Sequence, residues 1–151
     1  MRVGLIQALG LIPTSMQWLE TKIPPPVVMV LFGVAAFGTA HFLPALSFEL
    51  PLRTPVAVAL AVVGLALNIL PKLAFQRVGT SVNPLRPASV THLVTSGIYR
   101  YTRNPMYLGH SVILLGWALH LHNAAALMAV PAFMLYITRF QIQPEERYLS
   151  V

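Results

Sequence analysis

Residues 91–109, THLVTSGIYRYTRNPMYLG, pack tyrosines, two arginines, a turn and a helix start into one short stretch beside apolar sequence. Asn104 precedes Pro105, which pushes Asn104 out of the α region toward extended backbone. Proline at a first helical position loses no hydrogen bond. The reading is a helix beginning at Pro105 whose Met106, Tyr107 and Leu108 N–H groups open it without intrahelical partners. Such a helix start attracts an anion. Arg103 adds a fixed positive charge beside it, suited to a carboxylate or phosphate. The plainer role for Arg103 is to anchor the helix at lipid headgroups.

Glu145 and Glu146 hold half of the four acidic residues of the chain. The hydrophobic hairpin before them returns them to the side where Arg103 and Tyr107 sit, so a ribose or a cation could be held between these elements. Taken blandly, the pair is a solvated helix end. On the helix that starts at Pro105, His110 and Trp117 lie seven apart, with Ile113, Leu114, His120 and Leu121 on the same face. This stripe reads either as the lining of a functional pocket or as packing and interhelical hydrogen bonding. No metal site is expected, because His120 and His122 have no carboxylate or thiolate near them.

The elements that must position these residues are membrane spans. Of 151 residues, 56% are hydrophobic and 9% charged, more apolar content than a soluble domain of this size hides. A span needs about 20 apolar residues, and the chain offers runs at about 27–46, 55–71, 105–121 and 124–142. The expected fold is all-α: one integral membrane bundle over residues 1–151, with about four transmembrane helices and a C-terminal helical hairpin. Residues 1–22 read as an interfacial segment or extension, and residues 72–104 as the polar loop that should hold the chemistry. Pro71 and Lys72 mark the end of the second span. Gly109 and Gly116, seven apart, permit close backbone approach within the hairpin.

Basic residues set the expected orientation. Arg2 and Lys22 precede span one, Lys72, Arg77, Arg86, Arg100 and Arg103 lie between spans two and three, and Arg139 and Arg147 come late, whereas Arg53 alone falls on the other side. The positive-inside rule then puts both termini and the 72–104 loop in the cytoplasm. The net charge of +6 is spread among hydrophobic runs rather than gathered on one face, which speaks against nucleic acid. No cysteine is present, so thiolate chemistry is excluded. Phosphate-loop, zinc-protease, serine-hydrolase and soluble dinucleotide motifs are absent from the sequence.

Leu93-Val94-Thr95-Ser96-Gly97-Ile98-Tyr99, then Arg103-Asn104-Pro105-Met106-Tyr107, a hairpin, and Glu145-Glu146-Arg147-Tyr148-Leu149 together resemble the membrane methyltransferases related to isoprenylcysteine carboxyl methyltransferase and phospholipid N-methyltransferase. The opening LETKIPPP is similar to bacterial members, which implies a bacterial inner membrane. The resemblance implies S-adenosylmethionine as cofactor. It places His92, Leu93, Val94, Tyr99, Asn104, Pro105, Met106, Tyr107 and Glu145 around it, with Glu146 as the adjacent alternative. It also implies that Arg139 positions an acceptor carboxylate; Arg103, with its charge at the helix start, is the other candidate catalytic residue. The acceptor so implied is a membrane-resident lipid or isoprenoid-type molecule, methylated on a carboxyl oxygen or an amine nitrogen.

Physical chemistry agrees in kind. Free N–H groups at the helix start can take a carboxylate, Tyr99 or Tyr107 can pack against adenine or a sulfonium, and a Glu can accept from ribose hydroxyls. Two departures stand out: Asn104 occupies a position where carboxyl methyltransferases more often show His, and the sequence stops two residues past Leu149, where relatives continue with an aromatic and basic segment. The alternatives are a non-catalytic or truncated relative and, further off, a nicotinamide-dependent membrane reductase.

Overall fold

The computed structural model describes residues 22–77, 102 and 104–149. His92, Leu93, Val94, Tyr99 and Arg103, together with most of the 72–104 loop and of the 1–22 segment, lie outside the described residues. Helix α1 (Pro25–Phe42) starts where Pro24 is extended and Pro25 presets the first helical φ. A single 3₁₀ turn (Pro44–Leu46) leads to helix α2 (Arg53–Arg77), and helix α3 (Pro105–His120) follows. The last passage is built in pieces: α4 (Ala124–Leu127), α5 (Ala129–Ile137), a π-helical turn (Thr138–Ile142) and α6 (Gln143–Leu149).

Three segments are long and apolar enough to cross a bilayer: Pro25–Phe42, Arg53–Ala74 and Ala124–Glu146. Helix α3, with 16 residues, reaches only ~24 Å. It is also the innermost helix, packed against α1, α2, α4 and α5. The buried core is small and centres on Val28, Leu114, Phe133 and Ile137. Val30, Leu31, Val34, Phe37, Val58, Val62, Leu65, Leu70 and Leu135 are exposed instead. Apolar surface on that scale is incompatible with water and is what lipid requires. The protein is an all-α integral membrane bundle.

The tightest contact is between α2 and α3. A Cβ on Gly109 would meet the Gly64 carbonyl oxygen at 2.6 Å, and one on Gly64 would meet the Gly109 carbonyl oxygen at 2.6 Å. One helical repeat away, a Cβ on Gly116 would come within 3.0 Å of the Ala57 carbonyl oxygen. The two glycines of α3 therefore serve close approach to α2 rather than the α3–α4 hairpin, which corrects the expectation from sequence. Gly64, their counterpart, carries no comparable signal in a run of Ala, Val and Leu.

Pro71 does not end its helix either. α2 continues to Arg77 with Pro71 inside and almost wholly buried. Proline deletes one backbone hydrogen bond, and helices in a membrane tolerate that where neighbouring helices and polar side chains compensate. The carbonyl freed by Pro71 is that of Leu67; Asn68, one position on, donates its amide to a different carbonyl, that of Gly64, at 2.8 Å, on the face packed against Gly109 of α3.

At the opposite end, Asn123 is completely buried and joins two loops. Its Oδ1 accepts from Ala125 N and Ala126 N at 2.9 and 3.3 Å and so caps α4. Its Nδ2 donates to the Leu43 carbonyl at 2.8 Å. Phe48 N–H donates to the His122 carbonyl at 2.9 Å, and Ser47 forms an antiparallel bridge with Asn123.

Two predictions follow from these contacts. Gly109→Ala should destabilise the detergent-purified protein by about 1–3 kcal/mol through overpacking, whereas Gly38→Ala, with nothing within 4 Å, should be neutral or stabilising by up to about 1 kcal/mol; thermal unfolding followed by circular dichroism compares them. Asn123→Ala should cost about 2 kcal/mol by losing the cap and stranding the Leu43 carbonyl. Asn123→Asp, which keeps the acceptor and loses the donor, should fall between that variant and wild type.

Candidate cofactor site

Helix α3 starts as the Asn104-Pro105 pair dictates. Asn104 takes φ −128° and ψ 62°, outside the helix, and its side chain makes no capping bond. Its own N–H donates to Thr102 Oγ1 at 3.2 Å. Leu108 N–H is bonded to the Asn104 carbonyl at 3.2 Å, so Leu108 does not belong with the open N–H groups as expected. The ladder begins one residue earlier, because the cap carbonyl already serves as an acceptor. Pro105 has no N–H, which leaves Met106 and Tyr107 as the donors at this helix start.

Tyr107 points inward. Its ring packs against the Val28, Leu114, Phe133 and Ile137 cluster, and its hydroxyl donates to Glu145 Oε1 at 2.6 Å. That bond joins the start of α3 to α6 across 38 residues of sequence. The intervening hairpin brings together the two parts of the sequence pattern. Glu145 is half-buried while Glu146 is exposed, so the adjacent carboxylates differ sharply in environment.

The π-helical turn is what aims α6. One extra residue in a turn rotates everything after it by about 100° relative to a continued α-helix. Within this turn, Gln141 is buried and donates Nε2–H to the Ile23 carbonyl at 2.8 Å. The bond fastens the chain before α1 to the segment just before Glu145. Arg139, half-buried on the same turn, places its guanidinium 5.5 Å from the centroid of the Phe140 ring. It lies six positions before Glu145. Gln141 went unnoticed in the sequence, where its one signal was an amide inside a hydrophobic run.

On the remaining faces of α3, His110 is buried and its Nδ1 lies 2.6 Å from the Met106 carbonyl. Ser111 donates to the Tyr107 carbonyl at 2.9 Å. Ile113, Leu114 and Trp117 line an open apolar groove of about 420 Å³ against Met29, Val30, Gly33, Val34 and Phe37 of α1. Trp117 donates to the Gly33 carbonyl at 3.0 Å and stacks on His120. Thus the expected stripe divides: its middle lines the groove, while His110 bonds within its own helix. Among the described residues there is no group of three metal-ligating side chains.

A family model described as phospholipid methyltransferase matches residues 52–151. The chain belongs to the phospholipid methyltransferase family. The match covers α2, α3, the hairpin and α6, and so takes in both ends of the Tyr107–Glu145 bond. Membership brings methyltransferase chemistry in a membrane setting. A Haemophilus influenzae protein described as uncharacterized is 50% identical over 45 residues, which are 30% of this chain and 71% of that protein. No solved structure matches the chain.

The Tyr107–Glu145 bond should be measurable by a double-mutant cycle. Tyr107→Phe and Glu145→Gln should each destabilise the protein by about 1–2 kcal/mol in chemical unfolding, since a bond to a charged acceptor is stronger than a neutral one. The double variant should fall short of the sum by about 1 kcal/mol. Full additivity would mean that the bond contributes nothing to stability.

Proposed function

We propose that this protein is an S-adenosylmethionine-dependent methyltransferase acting on a membrane-resident lipid or isoprenoid-type acceptor, on a carboxyl oxygen or an amine nitrogen. The observation that carries the reading is the Tyr107–Glu145 hydrogen bond. It unites a helix start with open N–H groups and a half-buried carboxylate, the two kinds of group that a zwitterionic nucleoside cofactor needs.

The residues fit the group. Met106 and Tyr107 N–H groups can hold a carboxylate at the helix start. Glu145 accepts a hydrogen bond through Oε1 and has a second oxygen with which to accept from ribose hydroxyls. The ring of Tyr107 offers an aromatic face to adenine or to a positive sulfur. Asn104 and Pro105 fix where the helix begins. By resemblance, His92, Leu93, Val94 and Tyr99 complete the enclosure, with Arg103 and Arg139 directed to the acceptor.

When bound, S-adenosylmethionine supplies an already activated methyl group on a sulfonium. The protein therefore contributes mainly alignment and exclusion of water. The α1–α3 groove, two turns further into the bundle than Tyr107, is an apolar place for the acceptor chain. Lys22, Lys72, Arg77 and Arg139 belong to the helix ends on the Tyr107 side and Arg53 to the other. By the positive-inside rule this puts the cofactor side in the cytoplasm, in keeping with a bacterial inner membrane.

Calorimetry on the detergent-purified protein tests the proposal. S-adenosylmethionine and S-adenosylhomocysteine should bind in the micromolar range, about 8 kcal/mol, and Glu145→Gln should weaken both by about tenfold or more, 1.4 kcal/mol. Absence of binding to the folded wild-type chain would sink the reading.

A further inference from the structure

At the end of the bundle opposite Tyr107, the loop before α2 and the turn after α3 border a second, open surface pocket of about 420 Å³. It is lined by Phe48, Glu49, Leu50, Pro51, Arg53 and His122. Among the described residues, Arg53 is the one Lys or Arg at this end and Glu49 the one acidic residue. Both line the same pocket, and among the described residues they form no ion pair with each other. A side of a membrane protein that is otherwise stripped of charge thus keeps one cation and one anion on the lining of a single pocket.

Arg53 is oriented by the turn after α3. Its Nη1 lies 2.5 Å from His122 Nδ1 and 3.1 Å from His122 Nε2, against the edge of the imidazole ring. With five N–H donors in a planar fork, the guanidinium keeps further donors for a phosphate, the anion such a fork matches best. One wall of the pocket is held in place. His122 takes left-handed backbone, φ 42°, an arrangement that persists only where the surroundings enforce it. Here the buried Asn123 beside it and the Phe48–His122 backbone bond do so.

Around the pocket the surface is greasy: Phe42 is 80% and Leu52 74% exposed, and Leu43 and Leu46 are also exposed. An occupant with one positive and one negative group at its head and apolar chains beside it satisfies every part of this surface. We propose that this pocket binds the headgroup of a zwitterionic phospholipid, its phosphodiester on Arg53 and its ammonium on Glu49, as a site separate from the methyl-transfer site. The assignment does not depend on the proposed reaction.

The test is thermal unfolding of the detergent-purified full chain, titrated with dihexanoyl phosphatidylethanolamine, dihexanoyl phosphatidylglycerol or inorganic phosphate. Wild type should be stabilised by the ethanolamine lipid at a concentration about tenfold below that needed for the glycerol lipid. Arg53→Gln should raise the half-effective concentration of the ethanolamine lipid about tenfold, and Glu49→Gln should abolish the preference while keeping binding. Should Arg53→Gln not fold, Arg53→Lys retains the charge, and the Glu49→Gln preference decides. Equal responses of wild type and the Glu49 and Arg53 variants would overturn the proposal. Inorganic phosphate acting as well as the lipid would overturn it too, in favour of a free-phosphate site.

Discussion

The backbone contact between α2 and α3 at Gly64 and Gly109 sets the frame of the molecule. Neither position could carry a Cβ without meeting the other helix's carbonyl oxygen at 2.6 Å. In lipid there is no hydrophobic drive to bring two apolar helices together, so dispersion at close range and backbone proximity must do it. This contact fixes the depth of α3, a helix too short to cross the bilayer by itself. Once α3 is fixed, so are the level at which Pro105 begins a helix and the level at which Tyr107 can reach a partner.

The partner arrives by a different device. The last passage of the chain is not one smooth helix: it turns at Met128 and takes a π-helical turn at Thr138–Ile142. That turn spends one residue on rotation and buries Gln141, whose bond to the Ile23 carbonyl holds the end of the passage against the beginning of α1. Glu145 then comes within 2.6 Å of the Tyr107 hydroxyl while Glu146 remains in the open. Two adjacent glutamates become unlike because of geometry laid down several residues earlier.

Much of this was legible in the residues and some was not. Composition and hydrophobic runs suffice for an all-α membrane bundle, because no other solvent accommodates so many exposed Val and Leu side chains. The Asn104-Pro105 step suffices for the start of α3, since both residues restrict backbone locally. Pro71 misleads for the complementary reason: its local preference is to stop a helix, and packing against α3 overrides it. The glycine partner was misassigned because a small residue announces close approach without naming the neighbour. The π-helical turn leaves no mark in periodicity over five residues, so which glutamate faces Tyr107 could not be read from spacing.

The distribution of polar bonds along the bundle has a consequence for how a greasy molecule could enter. At one end Asn123 ties α4 to the loop after α1, and at the other Gln141 and Glu145 tie the last passage to the chain before α1 and to α3. Between these ends, among the described residues, the polar link from α3 to α1 is the single Trp117 to Gly33 bond, and the groove beside it is apolar and open. Separating α1 from α3 at mid-membrane therefore breaks dispersion contacts and at most one hydrogen bond, whereas parting either end breaks several. An apolar chain lying in the groove would replace lipid of the same character, so its entry involves almost no desolvation of polar groups. The pinned ends keep the polar groups in register while the middle yields.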